Sequence, residues 1–234
     1  QRYSAWVLVE SAMRAMWWDL PVQQIPGNNN ADPNQINPFE QIQIVEQRIM
    51  TRANLYDLAQ RIGMYADQPD LSVGDIVGDI HGEKAAETAE EIAGKTGASG
   101  SGGTAIGKPL DVTDRDGFEI FLDDVEAEFG PIDCLVNNAG VMLLGPVDEE
   151  SPAATRAMID VNLVGVINGT QAAMNRMKPR RRGRIVNIAS QAGKAGMAGG
   201  ATYCATKFGV IGFSEAVRTE LKGTGVSISW VLPG

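Results

Sequence analysis

IDCLVNNAG, residues 132–140, decides the fold: a short apolar stretch, IDCLV, runs directly into a polar turn that ends in glycine. A run of four to eight apolar residues bounded by a turn signal is typical of a buried strand. Buried strands of this kind occur in parallel sheets whose two faces are covered by helices. The flanking sequence should therefore alternate between strand and helix.

Strand and helix patterns do alternate from about residue 72 onward. Strands are predicted at 72–80, 104–112, 132–136, 184–189 and 226–232, and helices at 83–93, 114–128, 151–177 and 202–221. Ser151 followed by Pro152 marks the start of the longest helix. This alternation predicts an α/β fold, a Rossmann-like doubly wound parallel sheet, which binds dinucleotides at the carboxyl ends of its strands.

A tyrosine and a lysine lie four residues apart in YCATK, residues 203–207. On a helix this spacing places Tyr203 and Lys207 on one face, where the ammonium lowers the pKa of the phenol. The tyrosine then approaches the range in which it can give or take a proton. Taken alone, this spacing is common by chance and more often marks an ordinary pair on a helix surface. Ser190, at the end of a predicted strand, adds a hydroxyl that can donate to a substrate carbonyl.

The order of these motifs resembles the classical short-chain dehydrogenase/reductase family over about residues 77–234. The matching positions follow successive predicted strands and helices: Asp111 and Val112, NNAG at 137–140, Asn162, Ser190, Tyr203, Lys207, Pro233 and Gly234. The resemblance implies an NAD(P)-dependent oxidoreductase that transfers a hydride between a nicotinamide cofactor and an alcohol or ketone. The expected substrate is accordingly a small-molecule alcohol or ketone.

The resemblance also implies roles for four catalytic residues. Tyr203 would act as acid and base, and Ser190 would orient and polarise the substrate oxygen. Lys207 would lower the tyrosine pKa and hold the nicotinamide ribose. Asn162 would position a water in the proton relay.

Cofactor contacts are implied at further positions. Asp111 and Val112 would flank the adenine, and the adenosine ribose side and the nicotinamide side would be completed by Asn137, Ala139, Gly140, Tyr203, Lys207, Pro233 and Gly234. Asp79, at the end of the strand predicted at 72–80, would accept hydrogen bonds from ribose hydroxyls and repel a 2′-phosphate. The predicted cofactor is therefore NAD, with NADP not excluded; Asp75 is the alternative acid.

The beginning of the chain departs from the family pattern. The family's glycine-rich pyrophosphate turn is missing, because no glycine precedes Gly27, and Glu10 and Ser11 follow the apolar residues 5–9. TGASGSGG, residues 96–103, is interpreted as a flexible loop instead. The sheet is therefore expected to be incomplete at both ends: residues 72–234 form a core without its first βαβ unit and C-terminal tail, and residues 1–71 form a separate segment of helices and loops.

That first segment carries a second resemblance. QQIP at 23–26, IVEQRIMTRANL at 44–55 and YADQPDL at 65–71 are similar to the periplasmic part of polysaccharide chain-length determinant proteins. Two alternatives to the enzyme follow. One is an envelope polysaccharide chain-length factor acting through residues 1–71, and the other is a catalytically silent dehydrogenase remnant or interaction module.

Composition narrows the class of partner. A net charge of −9 disfavours nucleic acid, whose phosphates are bound by Lys and Arg. Two cysteines and the single His81 provide too few ligands for a metal site, and no disulfide is expected. Residues 5–20 are interrupted by Glu10, Arg14 and Asp19, so no membrane span is predicted. The expected location is cytoplasmic, and the family resemblance implies a homo-oligomer.

Overall fold

The computed structural model describes residues 4–9, 73–79, 82–97 and 104–233. Several predictions concern residues outside these ranges. They are the N-terminal helices and their chain-length resemblance, the turn at Glu10 and Ser11, His81, most of the glycine-rich loop at 96–103, and the cofactor contact at Gly234.

The described strands form one parallel, 6-stranded sheet in the order β3-β2-β1-β4-β5-β6. Their bounds are β1 Ser4–Val9, β2 Val73–Asp79, β3 Thr104–Pro109, β4 Ile132–Asn137, β5 Gly183–Ile188 and β6 Val226–Val231. This is the doubly wound order of dinucleotide-binding folds, and it confirms the predicted α/β class.

The prediction that the first strand is missing is wrong. Strand β1 lies in the middle of the sheet, where its register pairs Val9 with Gly78 of β2 on one side and with Asn137 of β4 on the other. It belongs to the same compact unit as the described residues 73–232. That prediction rests on the absence of a glycine-rich motif, but a strand does not require the motif that usually follows it. SAWVLV is rich in the β-branched, aromatic and apolar residues that strands favour.

From β2 onward, helices connect successive strands and pack on the sheet. Their bounds are α1 Gly82–Gly97, α2 Arg115–Phe129, α3 Pro152–Ile159, a π-helix Asp160–Val164, α4 Gly165–Met177, a 3-10 turn Gln191–Gly193 and α5 Ala201–Glu220. Ser151 caps α3 by accepting from Ala154 N–H at 3.2 Å, as its sequence predicted. The single helix predicted at 151–177 is instead interrupted by the π-turn.

The main hydrophobic core lies between α2, α4 and the strands from β4 to β6. Phe118 and Leu122 of α2 and Leu135 of β4 are fully enclosed in it. A row of buried polar side chains crosses the same region. Asn137 Nδ2 donates to Asn187 Oδ1 at 2.9 Å, and Asn187 Nδ2 donates to Ser214 Oγ at 2.9 Å, so β4, β5 and α5 are joined by side chains as well as by packing.

An ion-pair network joins α2 to α4 at the edge of this core. The Arg176 guanidinium contacts the carboxylates of Glu119, Asp123 and Glu126, and only 12% of its side chain is exposed. Burial alone would lower the pKa of Arg176, but the hydrogen bonds and negative charges of Glu119 and Asp123 outweigh it and raise the pKa above its ordinary value. The charge is therefore permanent, and the network holds the two helices together.

Helix α4 approaches β4 and α2 closely enough to require a glycine. A Cβ added at Gly169 would lie 2.2 Å from Asn137 Oδ1 and 2.8 Å from Phe118 Cζ. Gly212, also in a helix, is exposed, and a Cβ there would meet nothing within 4 Å. The two glycines therefore occupy opposite environments.

We expect the substitution of each glycine by alanine to have opposite effects on stability. Gly169→Ala should lower the free energy of unfolding by about 1–3 kcal/mol, because the packed core cannot accept the methyl group. Gly212→Ala should raise it by up to about 1 kcal/mol through the higher helix propensity of alanine. Urea unfolding followed by circular dichroism measures both. A destabilised Gly212→Ala, or an unaffected Gly169→Ala, would contradict the described packing.

Candidate active site

The predicted site residues follow strands whose carboxyl ends share one edge of the sheet. Asp79 and Asn137 are the last residues of β2 and β4, while Asp111 and Ser190 lie two residues beyond β3 and β5. Connections run outward in opposite directions from β1 and β4, which makes their junction a topological switch point. Crevices for dinucleotides form at such junctions, so this edge is where a site is expected.

Tyr203 and Lys207 come together on the first two turns of α5. They are only 3% and 5% exposed, and Lys207 Nζ lies 5.6 Å from the centroid of the Tyr203 ring. This distance is within the range of a cation–π interaction. Lys207 Nζ also donates to the backbone oxygen of Ile188, the last residue of β5, at 3.0 Å. The ammonium is thus held between the tyrosine ring and the end of a strand.

Ser190 is held close to this pair by the turn that follows β5. Its Oγ accepts from Ala192 N–H at 3.1 Å and caps the 3-10 turn Gln191–Gly193. That turn packs directly on α5, since a Cβ at Gly193 would lie 2.8 Å from the backbone oxygen of Lys207 and 2.7 Å from Ile211 Cδ1. Because Gly193 has no side chain, the turn can lie directly against α5, and this contact fixes Ser190 relative to the helix.

Asn162 lies in the π-helix and is 0% exposed. Its Oδ1 accepts from Val141 N–H at 2.7 Å, and its Nδ2 donates to Val141 O at 2.8 Å and to Thr206 Oγ1 at 3.2 Å. The amide therefore binds the loop after β4 to α5. The water-positioning role implied for Asn162 would have to use other atoms, because both amide N–H groups are engaged in these bonds.

The loop after β4 passes close to the same groups. A Cβ at Gly140 would lie 3.4 Å from Asn162 Oδ1 and 3.6 Å from Lys207 Nζ. The structure therefore brings Gly140, Asn162, Ser190, Tyr203 and Lys207 into one neighbourhood. The last four are the positions for which the resemblance implies catalytic roles.

Other predicted cofactor residues direct their side chains elsewhere. The Asn137 amide bonds within the core, and the side chains of Val112 and Ala139 are buried in the main hydrophobic cluster. Any cofactor contact from these three residues would come from their backbone.

Asp111 differs from them because it is exposed. Its Oδ1 accepts from Thr113 N–H at 2.9 Å and from Thr113 Oγ1 at 2.8 Å, which holds the carboxylate at the rim. Of Asp79 the structure describes the backbone, as the last residue of β2, and Pro233 follows β6 after Leu232.

Two contributors were not predicted from the sequence. Thr206 Oγ1 accepts from Asn162 and donates to Tyr203 O at 2.7 Å, and Asn168 Nδ2 donates to Val112 O at 3.0 Å. Threonine between Tyr203 and Lys207 gives no chemical signal in the sequence. Its role depends on a partner 44 residues away.

The donors and acceptors at this edge suit the ribose groups of a dinucleotide. A buried ammonium and a phenol lie on the α5 side, and an exposed carboxylate lies beyond β3. ESAM, the sequence after β1, offers no glycine for close approach of a pyrophosphate. Among the described residues no cluster of three or more His, Cys, Asp or Glu could hold a metal ion, and no helix is long and apolar enough to cross a membrane.

Comparisons with known proteins point to one family. The family model described as short chain dehydrogenase matches residues 76–234. A crystal structure of a metagenomic short-chain oxidoreductase in complex with NADP is 34% identical, with a TM-score of 0.62, and the match covers 69% of this chain and 71% of that one.

Curated relatives include a reductase and a dehydrogenase. The ketoacyl reductase HetN of Nostoc sp. strain PCC 7120 is 41% identical over 57% of this chain and 47% of the relative. The 3-oxoacyl-[acyl-carrier-protein] reductase FabG of Escherichia coli K12 is 38% identical over 62% and 58%, and the D-threitol dehydrogenase of Mycolicibacterium smegmatis is 40% identical over 63% and 56%. The chain thus spans about half of the length of these relatives.

The Asn162 contacts predict a pH-dependent stability for the variant Asn162→Asp. A protonated carboxyl can replace the amide as one donor and one acceptor, but an ionised carboxylate only accepts and would face Val141 O. Burial should raise the pKa of the introduced acid in the folded state above its unfolded value of about 3.9. The folded variant then binds its proton more tightly than the unfolded chain does. Its stability therefore falls as the pH rises from the unfolded pKa through the folded pKa of this acid.

Urea unfolding of the wild type and the variant at about pH 5 and pH 8 tests this. The destabilisation should be about 2–4 kcal/mol at pH 8 and smaller at pH 5. An equal loss at both pH values would mean that the buried amide does not donate as described.

Proposed function

The chain belongs to the short-chain dehydrogenase family, and we propose that it is an NAD(P)-dependent oxidoreductase acting on an alcohol or a ketone. The observation that carries the proposal is the buried Tyr203–Lys207 pair, packed against the Ser190 turn at the carboxyl edge of the sheet. A core position for a phenol and an ammonium has a desolvation cost that chemistry at the site would explain.

In the direction of ketone reduction, Tyr203 donates its phenolic proton to the substrate carbonyl oxygen as this oxygen becomes an alkoxide. Ser190 donates a hydrogen bond to the same oxygen and thereby orients and polarises the carbonyl. A bound nicotinamide would supply the hydride that reaches the carbonyl carbon. The reverse direction returns the proton to Tyr203 as the alcohol is oxidised.

Lys207 stabilises the phenolate that remains after proton transfer. Its ammonium is already fixed near the ring by the bond to Ile188 O at 3.0 Å, so little reorganisation accompanies the change in charge. The same ammonium is the group that would hold the nicotinamide ribose. Asp111 is proposed to contact the adenine end, since its carboxylate is held at the rim by Thr113.

Cofactor and substrate choice form the finer part of this proposal. Asp79 at the end of β2 favours NAD. The similar metagenomic enzyme is in complex with NADP, so both cofactors should be assayed. The names of the relatives suggest 3-oxoacyl thioesters and small polyols as the first substrates to assay. A cytoplasmic location and homo-oligomeric assembly also remain proposals.

The catalytic assignment predicts how kcat changes in one tyrosine variant and in a matched pair of lysine variants. Tyr203→Phe should lower kcat by about 10²–10⁴-fold, because the acid and base is lost. Lys207→Met should lower it strongly as well, whereas Lys222→Met, in the exposed turn after α5, should remain within about twofold. Initial rates of NADH or NADPH oxidation with a panel of 3-oxoacyl thioesters measure all three. Equal rates in Lys207→Met and Lys222→Met would reject the role of Lys207.

A catalytically silent remnant is the second candidate, and the sequence ESAM after β1 favours it, since Glu10 would repel a pyrophosphate. Titration with NADH, followed by its fluorescence, separates the two. The enzyme predicts saturable binding that Asp111→Ala weakens about tenfold and Asp116→Ala, which removes an equal charge from α2, leaves nearly unchanged. Absence of binding up to millimolar NADH would favour the remnant.

A further inference from the structure

A carboxylate outside the predicted catalytic set joins the starts of the two helices that frame the site. Glu150 Oε1 accepts hydrogen bonds from the hydroxyl of Thr155, in the first turn of α3, and from Thr202 Oγ1, in the first turn of α5, at 2.7 Å. Glu150 is half-buried. Because helix starts carry a partial positive charge, a carboxylate between two of them is electrostatically favoured.

The start of α5 lacks a side-chain cap of its own. Its N-cap residue is Gly200, which makes no side-chain cap hydrogen bond, whereas α3 is capped by Ser151. Thr202 is the second residue of α5 and immediately precedes Tyr203. The bond from Thr202 to Glu150 therefore fixes the turn that carries the proposed acid and base.

A second threonine of α5 is hydrogen-bonded one helical turn further along, this time as an acceptor. Thr206 Oγ1 accepts from Asn162 Nδ2 at 3.2 Å, and Thr206 immediately precedes Lys207. Thr202 and Thr206 are four residues apart and share a face of α5. Two attachments one turn apart on this face restrain rotation of the helix about its axis and sliding along it. Both proposed groups, each one residue further on, are thereby oriented.

We propose that Glu150 is a positioning residue of the site, acting through Thr202 to set the orientation of Tyr203 toward Ser190 and Lys207. This inference rests on the proposed oxidoreductase function. Small misplacements of reacting groups can reduce rates by up to about 10²-fold. Loss of one of two attachments should therefore lower kcat by about tenfold, with little change in cofactor affinity.

The test compares variants that differ by single hydrogen bonds. Thr202→Val removes the hydroxyl at nearly constant volume, and Thr202→Ser restores it. Thr155→Val removes the other bond to the same carboxylate without touching α5, and it serves as the matched control. Glu150→Gln keeps an acceptor but removes the charge. Each variant is assayed for kcat, for KM, for NADH affinity and for unfolding in urea.

The proposal expects kcat about tenfold lower in Thr202→Val, recovery to within about threefold in Thr202→Ser, and a smaller loss in Thr155→Val at comparable stability. Glu150→Gln should fall between Thr155→Val and Thr202→Val. A Thr202→Val enzyme with wild-type kcat, or a loss that Thr202→Ser does not restore, would overturn it. So would losses in kcat that simply follow the losses in stability across all variants.

A readout independent of turnover separates this inference from the proposed function. The phenolate absorbance of Tyr203, obtained by subtracting the titration of Tyr203→Phe, should shift to higher pH in Thr202→Val but not in Thr155→Val, because the phenol loses its alignment with Lys207. If the wild type reduces no ketone but the titration still shifts in Thr202→Val, the proposed activity is rejected and the positioning role is kept. Turnover without the shift, and without a change in kcat, would do the reverse.

Discussion

The ammonium of Lys207 has to be stabilised inside the protein, and this requirement determines where α5 can lie. An isolated buried charge would be very unfavourable, so the group bonds to the backbone oxygen of Ile188, the last residue of β5. The bond attaches the second turn of α5 to the carboxyl edge of the sheet. Gly193 reinforces this attachment, since its lack of a side chain lets the turn after β5 contact the backbone at Lys207.

Local rules explain which part of the site was predictable. A spacing of four residues on a helix is enough to place Tyr203 beside Lys207, and a polar residue just after a strand is enough to place Ser190 at the rim. Asn137 follows the same rule in sequence but not in structure. Its amide bonds to Asn187, which lies 50 residues further along the chain, and no local pattern connects the two.

The π-turn could not be predicted either, for a related reason. Residues 151–177 have a continuous helical pattern, but in the structure Gly165 N–H bonds to Asp160 O, five residues back. The wider turn places Asn162 where its amide meets both Val141 and Thr206. These distant partners favour the π-turn, which local sequence rarely produces. Such turns are frequent at functional sites.

Strand β1 shows the opposite error, in which a family motif outweighed an adequate local signal. SAWVLV has the residues of a strand, whereas the expectation of an incomplete sheet rests on the absence of the glycine-rich motif after it. Pairing depends on the backbone of residues 4–9 and on the space between β2 and β4, so it does not require the turn. Strand formation and pyrophosphate binding are separate properties, even where a motif combines them.

The same separation applies to the two halves of the candidate site. The groups proposed to move and orient the proton are held by contacts among residues 137–207: the amide of Asn162, the Ser190 turn, the bond from Lys207 to Ile188, and the attachment of Thr202 to Glu150. None of these contacts uses residues 10–12, which follow β1. A substitution within residues 10–12 is therefore not expected to displace the phenol, the ammonium or the hydroxyl. A proton-transfer site of the proposed kind is thus compatible with a sequence that lacks the glycine-rich motif after β1, because the proposed catalytic groups and that motif lie in different parts of the chain.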